Sequence, residues 1–178
     1  MTIIRLATID DLPQYTQLMI KTYQQAYISE ELGITADYFS DEMFKNEDTQ
    51  NYFKSHLVNT DKQKTWLALK NGEVIGALTI IINNEDEAEL TGFYVKPDSQ
   101  KQGIGKSLYQ LGSKFAGDRS ILLDSYVHNK TIDVYKKWGF ETDRTRGKDG
   151  YFTRHWKEWG EKPALDCVYL RLKRSHLN

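Results

Sequence analysis

Apolar and polar positions divide this chain into short strands and amphipathic helices. Ile3 to Leu6 is a short apolar run of strand character. Thr8 is then a good N-cap, with Asp11 at capping-box spacing, and Pro13 lies in the first turns, where its missing N–H is tolerated. Leu12, Tyr15, Leu18, Met19, Thr22, Tyr23, Ala26 and Tyr27 recur at helical spacing and predict a helix from about Asp10 to Tyr27. After a break near Gly33, Tyr38, Phe39, Met43 and Phe44 suggest a second helix, and Tyr52, Phe53, His56 and Leu57 a third. Two apolar runs, Trp66 to Leu69 and Val74 to Ile82, flank Asn71-Gly72 and predict a hairpin, because both positions of its turn need positive φ.

A third strand follows over residues 87–95. In it Ala88, Leu90, Gly92 and Tyr94 alternate with Glu89, Thr91, Phe93 and Val95, and Pro97 ends the ladder. Ile104, Leu108, Leu111, Gly112 and Phe115 carry a helix to about Ala116, and residues 120–127 read as a buried strand. Thr131, Ile132, Val134, Tyr135 and Trp138 mark a short helix with Gly139 as its C-terminal cap. Two more strands are expected near 140–146 and 165–172, with an ordered loop carrying Trp156, Trp159 and Pro163 between them. No repeat or linker interrupts the chain, so residues 1–178 are expected to form one α/β domain of mixed sheet topology.

Composition narrows the function classes. Net charge is -1, so no overall basic field draws the chain to nucleic acid or an anionic membrane. Mean hydropathy is -0.63, which predicts a soluble protein. No apolar run reaches the roughly 20 residues that span a bilayer. The N-terminus lacks a signal-peptide pattern. One cysteine, Cys167, excludes an internal disulfide and fits a reducing cytoplasm; with only four histidines beside it, no metal is expected. The 11 tyrosines and 4 tryptophans can serve either a core or a substrate cleft.

The chemistry gathers at Gly103 and Gly105, which sit between the third strand and the next helix. Glycines there let backbone N–H groups approach a ligand, and with the helix dipole they suit a phosphate. A Walker A loop would need glycine where Gln100 stands, and a Rossmann fingerprint would need one at Leu108. What remains is Gln100-Lys101-Gln102-Gly103-Ile104-Gly105, or Q-x-x-G-x-G. It resembles the pyrophosphate loop of the GNAT superfamily of N-acetyltransferases. A second stretch, Tyr135-Lys136-Lys137-Trp138-Gly139-Phe140, is similar to that family's Y-x-x-x-G-F. The element order from residue 3 to 173 resembles the same fold.

The resemblance implies an α/β fold with a mixed, mostly antiparallel central sheet flanked by helices, and a splayed strand pair at the cofactor site. It implies acetyl-CoA as cofactor and an N-acetyltransferase as the activity, with a noncatalytic acyl-CoA-binding sensor as the alternative. Phe93, Tyr94 and Val95 would bond the pantetheine. The amides of Lys101, Gln102, Gly103, Ile104, Gly105 and Lys106, with the Ser107 hydroxyl, would hold the pyrophosphate after Gln100. Tyr135 matches the family's general acid. Glu89 precedes Gln100 by eleven positions, where the histone acetyltransferase branch carries its catalytic glutamate, and water is the other base. Asp124, inside an apolar strand, is a second general-base candidate and a candidate at the substrate. The family often places asparagine seven positions before the tyrosine; His128 stands there and Asn129 follows, so either contacts the cofactor.

The N-terminal helices form the acceptor side in this family, which makes Tyr23, Tyr27 and the 28–44 segment specificity candidates. The acceptor would be a small-molecule amine or a peptide. TYQQAY followed by a tyrosine- and phenylalanine-containing helix resembles members that acetylate polyamines; the acidic Glu30, Glu31, Asp37, Asp41 and Glu42 could attract a polycation or equally form a solvated helix face. Dimers are common in the family, so a homodimer is a candidate assembly.

Overall fold

Asn71 and Gly72 take φ of 53° and 80° and close the expected hairpin between strands β2 (Gln63–Lys70) and β3 (Glu73–Ile82). The computed structural model describes residues 1–155 and 164–174. Its sheet runs in the order β1-β2-β3-β4-β5-β8-β6, and β7 pairs with β8. The remaining strands are β1 (Thr2–Leu6), β4 (Glu87–Val95), β5 (Ser120–Tyr126), β6 (Glu141–Thr142), β7 (Tyr151–His155) and β8 (Ala164–Leu172). All pairings are antiparallel except β4 with β5. The fold is thus the mixed, mostly antiparallel α/β sheet that the sequence implied.

Helices cover both faces. On one lie α1 (Leu12–Tyr27), the short α2 (Asp41–Phe44) and α3 (Glu47–Leu57); on the other lie α4 (Ile104–Ala116) and α5 (Thr131–Lys137). Thr8 and Asp11 form the expected capping box around a short 3-10 turn that leads into α1. Asp11 also takes a bidentate pair from Arg5 at 2.6 and 2.7 Å, which ties the helix start to β1. Gly112 brings α4 close to the sheet: a Cβ there would lie 2.4 Å from Leu78 Cδ2. Each face therefore has its own apolar core, one around Leu78, Leu108 and Leu123, the other around Tyr15, Phe39 and Leu67.

Two expectations need correcting. The simple alternation along β4 does not continue. Thr79 pairs with Gly92 but Ile80 pairs with Leu90, so Thr91 is an extra residue, a β-bulge. The bulge swaps the faces after it. Ala88 and Leu90 point to the α4 side, and Phe93 and Val95 join them there, while Tyr94 packs on the α1 side.

The second correction concerns the expected strand over 140–146, of which only Glu141–Thr142 forms. Asp143 stops it: its carboxylate accepts from the Thr145 N–H and hydroxyl at 3.2 and 2.6 Å and turns the chain. Strand β7 follows at Tyr151–His155, a stretch the pattern had assigned partly to a loop. Trp156, Trp159 and Pro163 lie outside the described residues.

That turn also locks the sheet. Glu87 of β4 accepts from Arg146 and Arg171 at 2.8 Å each, and Arg171 Nε reaches Asp143 at 2.7 Å. Burial pushes the Glu87 and Asp143 carboxyls up, but hydrogen bonds from Arg171 and their other partners outweigh it and hold both below the ordinary carboxylate range. No helix among the described residues is long and apolar enough to cross a membrane.

His56, buried on α3 with its Nδ1 3.3 Å from the Tyr15 hydroxyl, gives the fold a pH dependence. Burial lowers its pKa from 6.5 to about 4. Between those values the unfolded chain binds a proton that the native state refuses. Stability should therefore fall as pH drops from 6.5 to 4, by at most about 1.4 kcal/mol per pH unit from this group. Urea denaturation at stepped pH will show it. His56→Gln should flatten that window, and an unchanged slope would assign the acid loss to carboxylates alone.

Candidate active site

The site starts where β4 and β5 part. They pair only through Glu87–Ser120, Ala88–Ile121 and Glu89–Leu122. Beyond that, β5 follows β8 as far as Tyr126–Cys167, while β4 stays with β3 as far as Val95–Gly76. The bulge at Thr91 lies at the fork, where extra twist bends β4 away. Among the described residues, no strand pairs with 90–95 on that side, so they border a gap. Phe93, Tyr94 and Val95 fall along it.

At the open end of the fork the chain turns into α4. Gln100 Nε2 donates to the Val95 carbonyl at 3.0 Å and to Gln25 Oε1 at 2.9 Å, so this side chain braces strand, loop and α1 together. Gln102 Nε2 donates to the Asp98 carbonyl at 3.1 Å. Lys101 and Gly103 take φ of 60° and 81°, backbone of the kind that gathers successive N–H groups on one concave side. The first helical bond runs from the Ser107 N–H to the Gly103 carbonyl at 3.0 Å. The amides of Ile104, Gly105 and Lys106 thus have no acceptor within the helix and form an anion site at its positive end.

The two glycines differ. A Cβ on Gly103 would meet nothing within 4 Å, so its φ is the constraint; one on Gly105 would lie 3.2 Å from Phe93 Cζ, so there packing is the constraint. Lys101, Lys106 and Ser107 are exposed beside the loop, whereas the Ile104 side chain is buried and anchors it.

Tyr135 projects from α5 and is only 6% exposed, with its ring 6.2 Å from Phe93 and 5.7 Å from Phe140. Burial, with the nearby Asp124 charge adding to it, pushes its phenol far above the ordinary value, so it keeps its proton at neutral pH. Asn129 turns the chain just before this helix: its Oδ1 accepts from the Thr131 N–H and hydroxyl at 2.9 and 2.6 Å. Of the two alternatives at the preceding loop, His128 is exposed, its ring 5.3 Å from that of Tyr126, and the Asn129 oxygen is already engaged.

On the α1 side, tyrosines cluster beside the fork and mark a candidate acceptor cleft. The hydroxyls of Tyr23 and Tyr94 lie 3.3 Å apart, and burial pushes that of Tyr23 up to about 12. Tyr27 lies 6.2 Å from Tyr126, ring to ring. Asp124 sits two residues beyond the last β4–β5 pair, and its Oδ1 takes Arg154 Nη2 at 2.7 Å. It is therefore an ion-paired group rather than the lone carboxylate in an apolar strand that its sequence context suggested. Glu89 stands at the last paired position, half-buried. Tyr52 of α3 and Arg154 of β7 escaped the sequence reading. Burial raises the Tyr52 phenol; Thr91 hydrogen-bonds to it, and the charges of Arg154, Asp124 and Glu89 all reach it. Nothing in the pattern around either residue distinguishes it from a surface aromatic or a surface cation.

Two observations now agree: a fork in the sheet, and an amide cradle at its mouth. The acetyltransferase (GNAT) family profile matches residues 21–140. The chain belongs to the GNAT acetyltransferase family. No curated protein sequence matches it. Among solved structures, the PaiA N-acetyltransferase of Thermoplasma acidophilum, in complex with coenzyme A, is similar at a TM-score of 0.73 and 19% identity, over 98% of this chain and 99% of that one. The ribosomal-protein-S18-alanine N-acetyltransferase of Escherichia coli is similar at 0.68 and 19%, over 100% and 97%. A Bacillus anthracis acetyltransferase in complex with acetyl coenzyme A is similar at 0.52 and 21%, over 65% of each chain. At these identities the likeness speaks for the fold of this GNAT member.

The loop conformation is testable apart from activity. Gly103→Ala adds no contact but forces a side chain into positive φ, so it should destabilise the protein by about 1 kcal/mol in urea denaturation. No loss of stability would show that the loop relaxes to another backbone.

Proposed function

We propose that this GNAT family member is an acetyl-CoA-dependent N-acetyltransferase that passes the acetyl group directly to a primary amine. The observation that carries the reading is the β4–β5 fork, with the amide cradle at its mouth and a protonated Tyr135 beside it. Acetyl-CoA supplies an acyl thioester. The edge of Phe93 to Val95 that faces away from β3 bonds the pantetheine arm as an added strand would. The amides from Lys101 to Lys106 hold the pyrophosphate, with Ser107 adding a hydroxyl and Lys101 and Lys106 screening charge. Asn129 or His128 flanks the arm from the α5 side.

The acceptor enters from the tyrosine cleft. Glu89, or a water beside it, takes the proton from the acceptor ammonium, since only the neutral amine attacks the thioester carbonyl. Asp124, Tyr23 and Tyr27 orient the amine. As the C–S bond breaks, the Tyr135 hydroxyl gives its proton to the departing sulfur; the attacking nitrogen sheds its second proton to solvent as the amide forms, and solvent returns one to the phenol. A noncatalytic acyl-CoA sensor on the same fold would not need a proton donor at this place. The single cysteine, buried and unpaired, fits a reducing cytoplasm.

Binding comes first. Acetyl-CoA or CoA at about 100 times Kd should stabilise the protein by about 2.7 kcal/mol in a thermal-shift titration; no shift would remove the basis of the reading. Tyr135→Phe should keep that shift and lose about a hundredfold or more in kcat. Full turnover across pH in the variant would show that another group protonates the sulfur.

A further inference from the structure

Arg154 has no part in the chemistry above, yet its charge reaches Tyr23, Tyr27 and Tyr52 of the candidate acceptor side. Strands β5 and β7 lie on opposite edges of β8, with Asp124 opposite Tyr169 and Arg154 opposite Leu165. To meet Asp124 at 2.7 Å, the arginine must cross β8 on its α1 face. Cys167, a small buried side chain on that face, leaves the path open. The Phe152 ring, 5.4 Å from the guanidinium carbon, flanks it. Both partners are largely shielded, with 34% and 24% of their side chains exposed.

Among the described residues, the charges of Glu89, Asp124 and Arg154 together reach Tyr52 of this cleft; Asp166, whose charge reaches Tyr126, is exposed and bonded to the Thr153 hydroxyl. Arg154 cancels Asp124, which leaves one carboxylate. Glu31 at the rim, whose charge reaches Tyr126, is exposed, as are Glu30, Asp37, Asp41 and Glu42, and solvent and salt screen them. The walls are aromatic, from Tyr23, Tyr27, Tyr52 and Tyr126. Such a cleft matches one ammonium and an apolar or aromatic body. A polyamine would place its second cation against the guanidinium.

We propose that Arg154 is a positioning and specificity residue, and that the acceptor is a monocationic primary amine with an aromatic or apolar body rather than a polyamine. The inference rests on the acetyltransferase reading above. Arg154 acts by holding Asp124 at the mouth of the fork and by setting the cleft's net charge.

The test compares kcat/KM for 2-phenylethylamine and related monoamines with that for spermidine, in the wild type and in variants. The wild type should favour the monoamines. Arg154→Gln should move the ratio toward spermidine by about tenfold or more, because it uncovers a second carboxylate a few ångströms from the acceptor. Arg154→Lys should stay near the wild type. Arg154→Gln combined with Asp124→Asn should move the ratio back, since both charges are then gone. A merely structural arginine would lower both substrates alike and leave the ratio fixed. If Arg154→Gln fails to fold, Asp124→Asn carries the test: it leaves the guanidinium uncompensated and should depress spermidine further relative to the monoamines.

Wild-type preference for spermidine, or a ratio unmoved by these variants, overturns the proposal. So does CoA binding without acetylation of any monoamine tried. A wild type with no thermal shift on CoA fails differently, because then the acetyltransferase reading itself falls.

Discussion

The structure depends on one broken pairing. Two neighbouring strands of a sheet ordinarily bond along their whole shared length, because an unpaired backbone group away from water is costly. Here β4 and β5 bond for three residue pairs and then part. The closed end is held by charge: Glu87 on β4 meets Arg171 on β8, the strand that pairs with β5, and Arg146 and Asp143 complete the network. Its members are partly buried and each is hydrogen-bonded, the condition under which such a network specifies one geometry rather than merely adding stability. The clamp at one end allows the other to open without the sheet coming apart.

The bulge at Thr91 gives the fork its chemistry. Without it, Phe93 and Val95 would lie on the same face as Glu89, and Tyr94 on the face of α4. With it, Glu89 and Tyr94 both address the tyrosine cleft, and Phe93 turns to the α4–α5 side, where it touches the positions of Gly105 and Tyr135. One inserted residue thus brings the loop glycine, the buried phenol and the acceptor cleft to a common gap. The same geometry explains why Gly105 is needed for packing while Gly103 is needed for backbone conformation.

Electrostatics then divides the carboxylates. Asp124 is occupied by Arg154, and its charge is felt by Tyr135; Glu89 is half-buried, and its charge is felt by Tyr52 across the cleft. The two carboxylates thus have different surroundings, one ion-paired and one at the last paired position of the fork. Tyr135 is kept protonated chiefly by its burial, which is what a proton donor to a leaving sulfur requires.

By itself the sequence determined the order of elements, the Asn71-Gly72 hairpin, the helix starts at Thr8 and Gly103, and the two family motifs. These depend on local rules: periodicity, turn conformations and capping act within a few residues, so they can be read along the chain. It also placed Gln100 to Ser107 and Tyr135, because a glycine loop before a helix and a tyrosine before Gly139-Phe140 are local patterns. The resemblance implied a bulge at the fork, but only the tertiary structure placed it at Thr91, because its position depends on how β4 meets β3 and not on either strand alone. The tertiary structure likewise decided that residues 143–150 turn rather than extend: the bonds from Thr145 to Asp143 are local, but Arg171 and the Tyr169 carbonyl of β8 hold Asp143 in place. The pairing of Asp124 with Arg154 belongs there too. Thirty positions of sequence separate them, and only the sheet order, with the small Cys167 between them, brings the two charges together.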